Sequence, residues 1–257
     1  MKTHYRLDGP PGAPVVTLSH ALGATLDLWD APAAVLTRQY RVLRYDVRGH
    51  GASAVPPGPY TLEQMVDDLR DLLRSLGIDR THFVGLSMGG LIGMMAALTT
   101  PATIRSLVLC DTTASYGPGL QPMWEERIAT AERQGMTDAL IERTMEIWFT
   151  APFRESHKAV VDRMRQMLLN TDPRGYAAAI RAIAGADLTE RIRAITCPAL
   201  IVVGERDPGT PPAMARVLHE RIRDSQLVVL PNAAHCSVVE RADEFTRLLR
   251  TFLDGVK

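Results

Sequence analysis

The chain has 257 residues, 46% of them hydrophobic, enough for one substantial core with room for an insertion. Lys plus Arg and Asp plus Glu both total 29, so no basic field exists to hold nucleic acid or an acidic membrane surface. Three cysteines, Cys110, Cys197 and Cys236, lack C-x-x-C spacing, which argues against a disulfide framework or a zinc site, and neither a leader-like nor a bilayer-length apolar stretch is present, so a reducing, cytoplasmic setting is expected.

Strand-like residues open the chain and meet the turn Gly9-Pro10-Pro11-Gly12. Residues 15–18 read as a strand running into the loop Ser19-His20-Ala21-Leu22-Gly23. A helix is expected around 29–36, then a strand over 41–45 and the loop Asp46-Val47-Arg48-Gly49-His50-Gly51, a turn held by pairing of Asp46 with Arg48. Thr61-Leu62-Glu63-Gln64 has capping-box spacing, and Leu62, Met65, Val66, Leu69, Leu72, Leu73 and Leu76 recur on one helical face. A strand over 81–85, a helix from 89 to about 100 and a strand over 104–110, closed by Asp111, follow. From about 115 to 187 the β-like runs disappear, and consecutive helices are expected, broken near Gly135, Pro152 and Asp172-Pro173. Strands return at 199–204 and 226–230 with a helix between them, and an amphipathic helix closes the chain over about 242–253. Repeated β-then-α units predict an α/β fold with a mostly parallel central sheet and helices on both faces. The expected organisation is one domain, 1–257, with its core in 1–114 and 188–257 and a helical lid over about 115–187.

Gly85-Leu86-Ser87-Met88-Gly89 lies between a strand and a helix, the layout of a nucleophile elbow. A serine on so sharp a turn needs small residues two before and two after it, and both are glycine. A serine hydroxyl attacks only when a base takes its proton and a third group orients that base. Of seven histidines, His235 lies just beyond the last strand, at the carboxyl edge of the sheet where the elbow also opens. Asp207 follows the strand over 199–204 and completes the order Ser87, Asp207, His235 that elbow serines use. Asp111 is the rival acid, with turn capping as its other reading, and Glu205 is a third carboxylate nearby. The tetrahedral intermediate needs two donors, expected from the Met88 backbone N–H and the Leu22 N–H, with Ala21 as the alternative to Leu22. His20 reads as a loop-shaping residue and Cys236 as a space-filler. Trp124 and Trp148 are candidates for lining a substrate pocket, though packing within the lid is their other reading.

Ser19-His20-Ala21-Leu22-Gly23, Asp46-Val47-Arg48-Gly49-His50-Gly51, Gly85-Leu86-Ser87-Met88-Gly89, Gly204-x-x-Asp207 and His235 together resemble the α/β-hydrolase family over nearly the whole chain. Within it, residues 22–30, Trp124-Glu125-Glu126-Arg127-Ile128, Ile147-Trp148-Phe149-Thr150, Pro173-Arg174-Gly175-Tyr176-Ala177 and Thr210-Pro211-Pro212 are similar to 3-oxoadipate enol-lactonases. The resemblance implies a lid inserted after the sixth core strand, and hydrolysis of a carboxylated enol-lactone without metal or cofactor in aromatic-acid catabolism, the β-ketoadipate pathway. It also implies that a lid arginine meets the substrate carboxylate, with Arg127, Arg133, Arg143 and Arg154 as candidates. Two positions depart from that likeness, His20-Ala21 where Asn-Ser is expected and Met94 where Gln is expected, both on the anticipated oxyanion side. Rival readings are a general carboxylesterase, another lactonase, a carbon–carbon bond hydrolase, a perhydrolase-like relative and a non-catalytic ligand-binding protein on a hydrolase scaffold. The expected partner is a small lactone or ester, with no nucleic acid or membrane, and the expected state a monomer or small homo-oligomer.

Overall fold

A computed structural model describes residues 1–256. In chain order these form β1 (Tyr5–Asp8), β2 (Val15–Ser19), α1 (Asp30–Leu36), β3 (Arg41–Tyr45), α2 (Leu62–Ser75), β4 (Thr81–Leu86), α3 (Met88–Thr99) and β5 (Ile104–Cys110). Five helices follow without a strand: α4 (Gln121–Gln134), α5 (Asp138–Trp148), α6 (Ala151–Ser156), α7 (Lys158–Leu169) and α8 (Pro173–Ala184). The chain then returns through β6 (Ala199–Gly204), α9 (Pro212–Arg221), β7 (Ser225–Leu230), α10 (Ser237–Glu240) and α11 (Ala242–Gly255).

The strands make one sheet in the order β1-β3-β2-β4-β5-β6-β7. Among the described strands only β1 runs antiparallel, paired with β3 at the edge. β4 and β6 are buried along their whole length, as expected of central strands covered by helices on both faces. The strand order reverses between β2 and β4, so the loops leaving these two strands open side by side at the carboxyl edge, the usual place for a site in such a sheet.

Local chemistry explains the elements that carry this frame. The Thr61 hydroxyl accepts from the Gln64 N–H at 3.2 Å and Gln64 Oε1 accepts from the Thr61 N–H at 3.2 Å, so the expected capping box starts α2. Leu62, Met65, Val66, Leu69, Leu72 and Leu73 then bury one face, and truncating Leu69 to Ala would cost about 2–5 kcal/mol. α3 is apolar all round and buried, while α1 and α11 pack together, with Trp29 and Phe245 6.2 Å apart.

Two expectations need correction. The helical excursion follows the fifth strand of the chain, not the sixth, because the residues before Val15 supply one edge strand and a turn. Arg48 does not hold Asp46: it bonds Asp68 on α2 at 2.6 Å and Gln64 at 2.9 Å. The Asp46 carboxylate instead accepts from the Leu26 and Ala52 N–H groups and pairs with His4, because the tight turn aims backbone donors at it.

Within the excursion, Gly135 ends α4 with a φ of 78° and Asp172 caps α8. Pro152 lies in the first turn of α6, where its missing N–H costs nothing, and a further break falls at His157. An antiparallel bridge between Ser115 and Asp187 and a bond from the Leu188 N–H to the Ala114 carbonyl, 2.9 Å, bring the two ends of the excursion together. Among the described residues no helix is long and apolar enough to cross a membrane.

Candidate active site

Ser87 stands between β4 and α3 with φ 53° and ψ −110°, a strained conformation for a residue with a Cβ. A Cβ at Gly85 would run into the Gly89 carbonyl, and one at Gly89 into the Ser19 carbonyl, which is why both flanking positions are glycine. The strained unit is held from both sides. Its N–H donates to the Cys110 carbonyl at 2.9 Å and its carbonyl accepts from the Thr112 hydroxyl at 2.8 Å. Thr112 had no sequence signal, since its role depends on β5 lying beside β4.

The Ser87 hydroxyl meets His235 Nε2 at 3.0 Å, and His235 Nδ1 meets Asp207 Oδ2 at 2.9 Å. All three residues are buried. Asp207 is fixed by an Asx-type turn: Oδ1 accepts from the Gly209 and Thr210 N–H groups at 2.8 and 3.0 Å, and the Thr210 hydroxyl donates to Oδ2 at 2.7 Å. Burial opposes charge on Asp207, yet the His235 charge and these donors hold its carboxyl below the usual carboxylate range. For His235, burial is the largest influence and lowers its pKa, but the Asp207 charge and bond, helped by Asp111, outweigh it and leave it raised above 6.5.

Asp111 makes no hydrogen bond to His235. Its Oδ1 accepts from the Gly204 N–H at 2.7 Å and its Oδ2 from the Ser237 hydroxyl at 2.6 Å, so it braces the ends of β6 and the His235 loop. Burial, followed by the Asp207 charge, pushes its carboxyl well up. Glu205 also points elsewhere, accepting from the Asn232 N–H at 2.9 Å.

His20 fixes the loop after β2. Its Nε2 accepts from the Val47 N–H at 2.9 Å, so its proton is on Nδ1, which donates to the Ala21 carbonyl at 2.8 Å. Burial lowers its pKa, which keeps this neutral form. The Ala21 carbonyl shares a trans peptide with the Leu22 N–H, so pinning one toward His20 turns the other away from it. Met88 is the first residue of α3, where an N–H has no partner in the helix. Ala21 lines the cavity beside Ser87, whereas Met94 is buried in α3 and is not among the lining residues.

A mostly apolar cavity of about 110 Å³ opens on the Ser87–His235 pair. Ala21, Leu22, Trp124, Ile147, Trp148 and Ile183 form its walls, so both tryptophans expected there are present. Its other polar groups include Tyr116, Thr144 and Arg127. Of the four candidate arginines, Arg127 lines this cavity. Its Nη2 donates to Thr144 Oγ1 at 3.0 Å and to the Tyr176 hydroxyl, and no carboxylate among the described residues pairs with it. Arg127 Nε and Trp124 Nε1, three residues apart on α4, are buried donors without a partner among the described residues. Arg133 instead bonds the Ala129 carbonyl, and Arg143 lines a neighbouring groove between α4 and α5.

Sequence reasoning missed Glu240. Its Oε1 accepts from the Thr150 N–H at 2.9 Å and hydroxyl at 2.7 Å, and its Oε2 takes the Ala234 N–H. The His235 and Cys236 N–H groups donate to the Ile147 and Trp148 carbonyls at 3.3 and 2.9 Å. The end of α5 and the His235 loop are thus sewn together, a pairing of segments some ninety residues apart that no local pattern announces. Among the described residues no three His, Cys, Asp or Glu side chains converge to hold a metal ion.

A family model described as the alpha/beta hydrolase fold matches residues 14–242. The crystal structure of the enol-lactonase from Burkholderia xenovorans superposes with a TM-score of 0.94 at 40% identity, covering 98% of this chain and 96% of that one. The 3-oxoadipate enol-lactonase 2 of Acinetobacter baylyi is 33% identical over 97% of this chain and 92% of its own length. A Klebsiella pneumoniae protein provisionally named the carbamate hydrolase RutD is 32% identical over 96% of this chain and 93% of its own length.

Proposed function

The chain belongs to the α/β-hydrolase family, and from that premise we propose that it is a serine hydrolase that opens a small carboxylated lactone, 3-oxoadipate enol-lactone foremost. The reading rests on one observation above others. The Ser87–His235 pair and Arg127, a guanidinium with no acid partner, share a single small apolar cavity. A carboxylate entering it would meet the Arg127 guanidinium, whose acceptors among the described residues are the Thr144 and Tyr176 hydroxyls.

In this mechanism His235 Nε2 takes the Ser87 proton as Oγ attacks the ring carbonyl, and Asp207 holds Nδ1–H and stabilises the imidazolium. The Leu22 and Met88 N–H groups receive the oxyanion. The ring oxygen leaves as an enol, protonated by His235, and remains on the same molecule as the acyl group. Water, activated by His235, then releases the acid. An enolate leaves readily, so modest acid catalysis suffices. In this reading the helices over residues 115–187 act as a lid, and the enzyme serves aromatic-acid catabolism in the cytoplasm.

Turnover of 3-oxoadipate enol-lactone by the purified protein and by Ser87→Ala, beside aryl esters, neutral lactones and a small carbamate, tests the proposal. The enol-lactone should give the highest kcat/KM and Ser87→Ala should be inactive. Turnover no greater than that of simple aryl esters removes the lactone assignment and leaves a general esterase, while a folded wild-type protein inert to the whole panel favours ligand binding without catalysis.

A further inference from the structure

The elements at the carboxyl edge stand in the sheet order β2, β4, β5, β6, β7. The loop bearing Leu22 therefore flanks Ser87 on the β2 side, and the segments that follow β5, β6 and β7 flank it on the other. Tyr116 follows β5 and belongs to that second side, with Asp207 and His235. It lines the same cavity as Ser87 and His235. Its ring packs edge-on against Trp124, with centroids 5.1 Å apart and planes at 76°. Burial pushes its phenol up, the facing Ser87 hydroxyl opposes this and the Asp207 charge adds to it, leaving a pKa of about 12. Tyr116 is therefore a neutral donor throughout the range in which His235 works as a base, and the mechanism above leaves it without a task.

We propose that the Tyr116 hydroxyl is a further catalytic group, a hydrogen-bond donor on the leaving-group side of Ser87 that stabilises the oxygen departing from the acyl carbon. The inference rests on Ser87 being the nucleophile. When the tetrahedral adduct collapses, the bond from carbon to the departing oxygen breaks and its electron pair stays on oxygen. The proton that His235 took from Ser87 passes to that oxygen. Tyr116 donates a hydrogen bond to the same atom and keeps its own proton. Such a donor matters most where much negative charge collects on a poorly stabilised oxygen, so it extends the substrate range from enol esters toward lactones and esters of ordinary alcohols.

The test is Tyr116→Phe, which keeps the ring against Trp124, assayed as kcat/KM on p-nitrophenyl, phenyl and ethyl acetate. The p-nitrophenyl ester should change by less than about twofold, while the ethyl ester should fall by roughly 10-fold, the loss expected for one hydrogen bond to a developing charge. The dependence on leaving-group pKa then steepens. Equal losses across the series, or no loss anywhere, overturn the role. Because the readout is a ratio between substrates on one preparation, a partly misfolded sample does not alter it. Ser87→Ala separates the two readings. An inactive Ser87→Ala beside an unchanged Tyr116→Phe series removes only Tyr116, whereas an active Ser87→Ala removes the nucleophile and this inference with it.

Discussion

Replacing Arg127 with Met keeps the length of the stem and removes the guanidinium from the cavity that Ser87 and His235 share. The variant loses the bonds to Thr144 and Tyr176 and the stacking over Trp124 and Tyr176, at 5.6 and 5.7 Å. It also relieves a partly buried charge that has no acid partner among the described residues, so the net change in stability should lie within about 1 kcal/mol. Binding is different. A hydrogen bond to a charged group is worth about 1.5–3 kcal/mol, so kcat/KM for a carboxylated lactone should fall roughly 10- to 150-fold. A neutral lactone of the same ring has nothing to lose at this position and should change by less than about threefold. Arg127→Lys keeps the charge without the planar fork and should fall between the two. The assay is kcat/KM on the matched pair, with melting temperature recorded on the same samples. Parallel losses on both substrates would refute the carboxylate role and make Arg127 a brace between α4, α5 and α8.

In the proposed mechanism the base is neutral His235, whose pKa is raised in the fold, so log kcat/KM on a neutral ester should fall toward acid with a midpoint above 6.5. In Asp207→Asn the charge and bond that do most to raise it are gone and burial, opposed now by Asp111 alone, dominates, so that midpoint should move below 6.5 while activity drops on the order of 10⁴-fold. Asp111→Asn should behave oppositely, retaining activity within about 10-fold while losing about 1–3 kcal/mol of stability as the bracing of Gly204 and Ser237 weakens; a denaturant titration beside the assay separates the two acids. Glu240→Ala leaves the Thr150 and Ala234 N–H groups without their acceptor and frees the His235 loop from α5. It should lose about 1–3 kcal/mol and lower kcat on every substrate, read by calorimetry and steady-state kinetics.

The elements that local pattern fixes were readable before any coordinates. The capping box at Thr61 and the small residues flanking Ser87 carry their reasons within a few neighbouring residues, and each needed only the period or the turn chemistry of its own segment. His235 and Asp207 were accessible one step further, because β-then-α alternation puts the loops after β6 and β7 at the edge where Ser87 opens. What stayed hidden depends on which strands lie side by side and how the excursion folds over them. Asp46 and Arg48 sit two residues apart and look like partners, yet a backbone turn claims one and α2 the other. Seeing that Arg127 is the candidate arginine that lines the cavity, or joining Glu240 to Thr150, requires knowing how α4, α5 and the His235 loop meet in space.

Everything proposed for the site depends on a Ser87 hydroxyl that His235 has made nucleophilic. Incubating the folded protein with a fluorophosphonate and mapping the adduct by peptide mass spectrometry examines that property without any choice of substrate. One adduct, on Ser87, absent from Ser87→Ala and strongly slowed in His235→Ala, is the expected result. A folded protein that takes up no label, or that carries it on another residue, contradicts the assignment of Ser87 as the nucleophile.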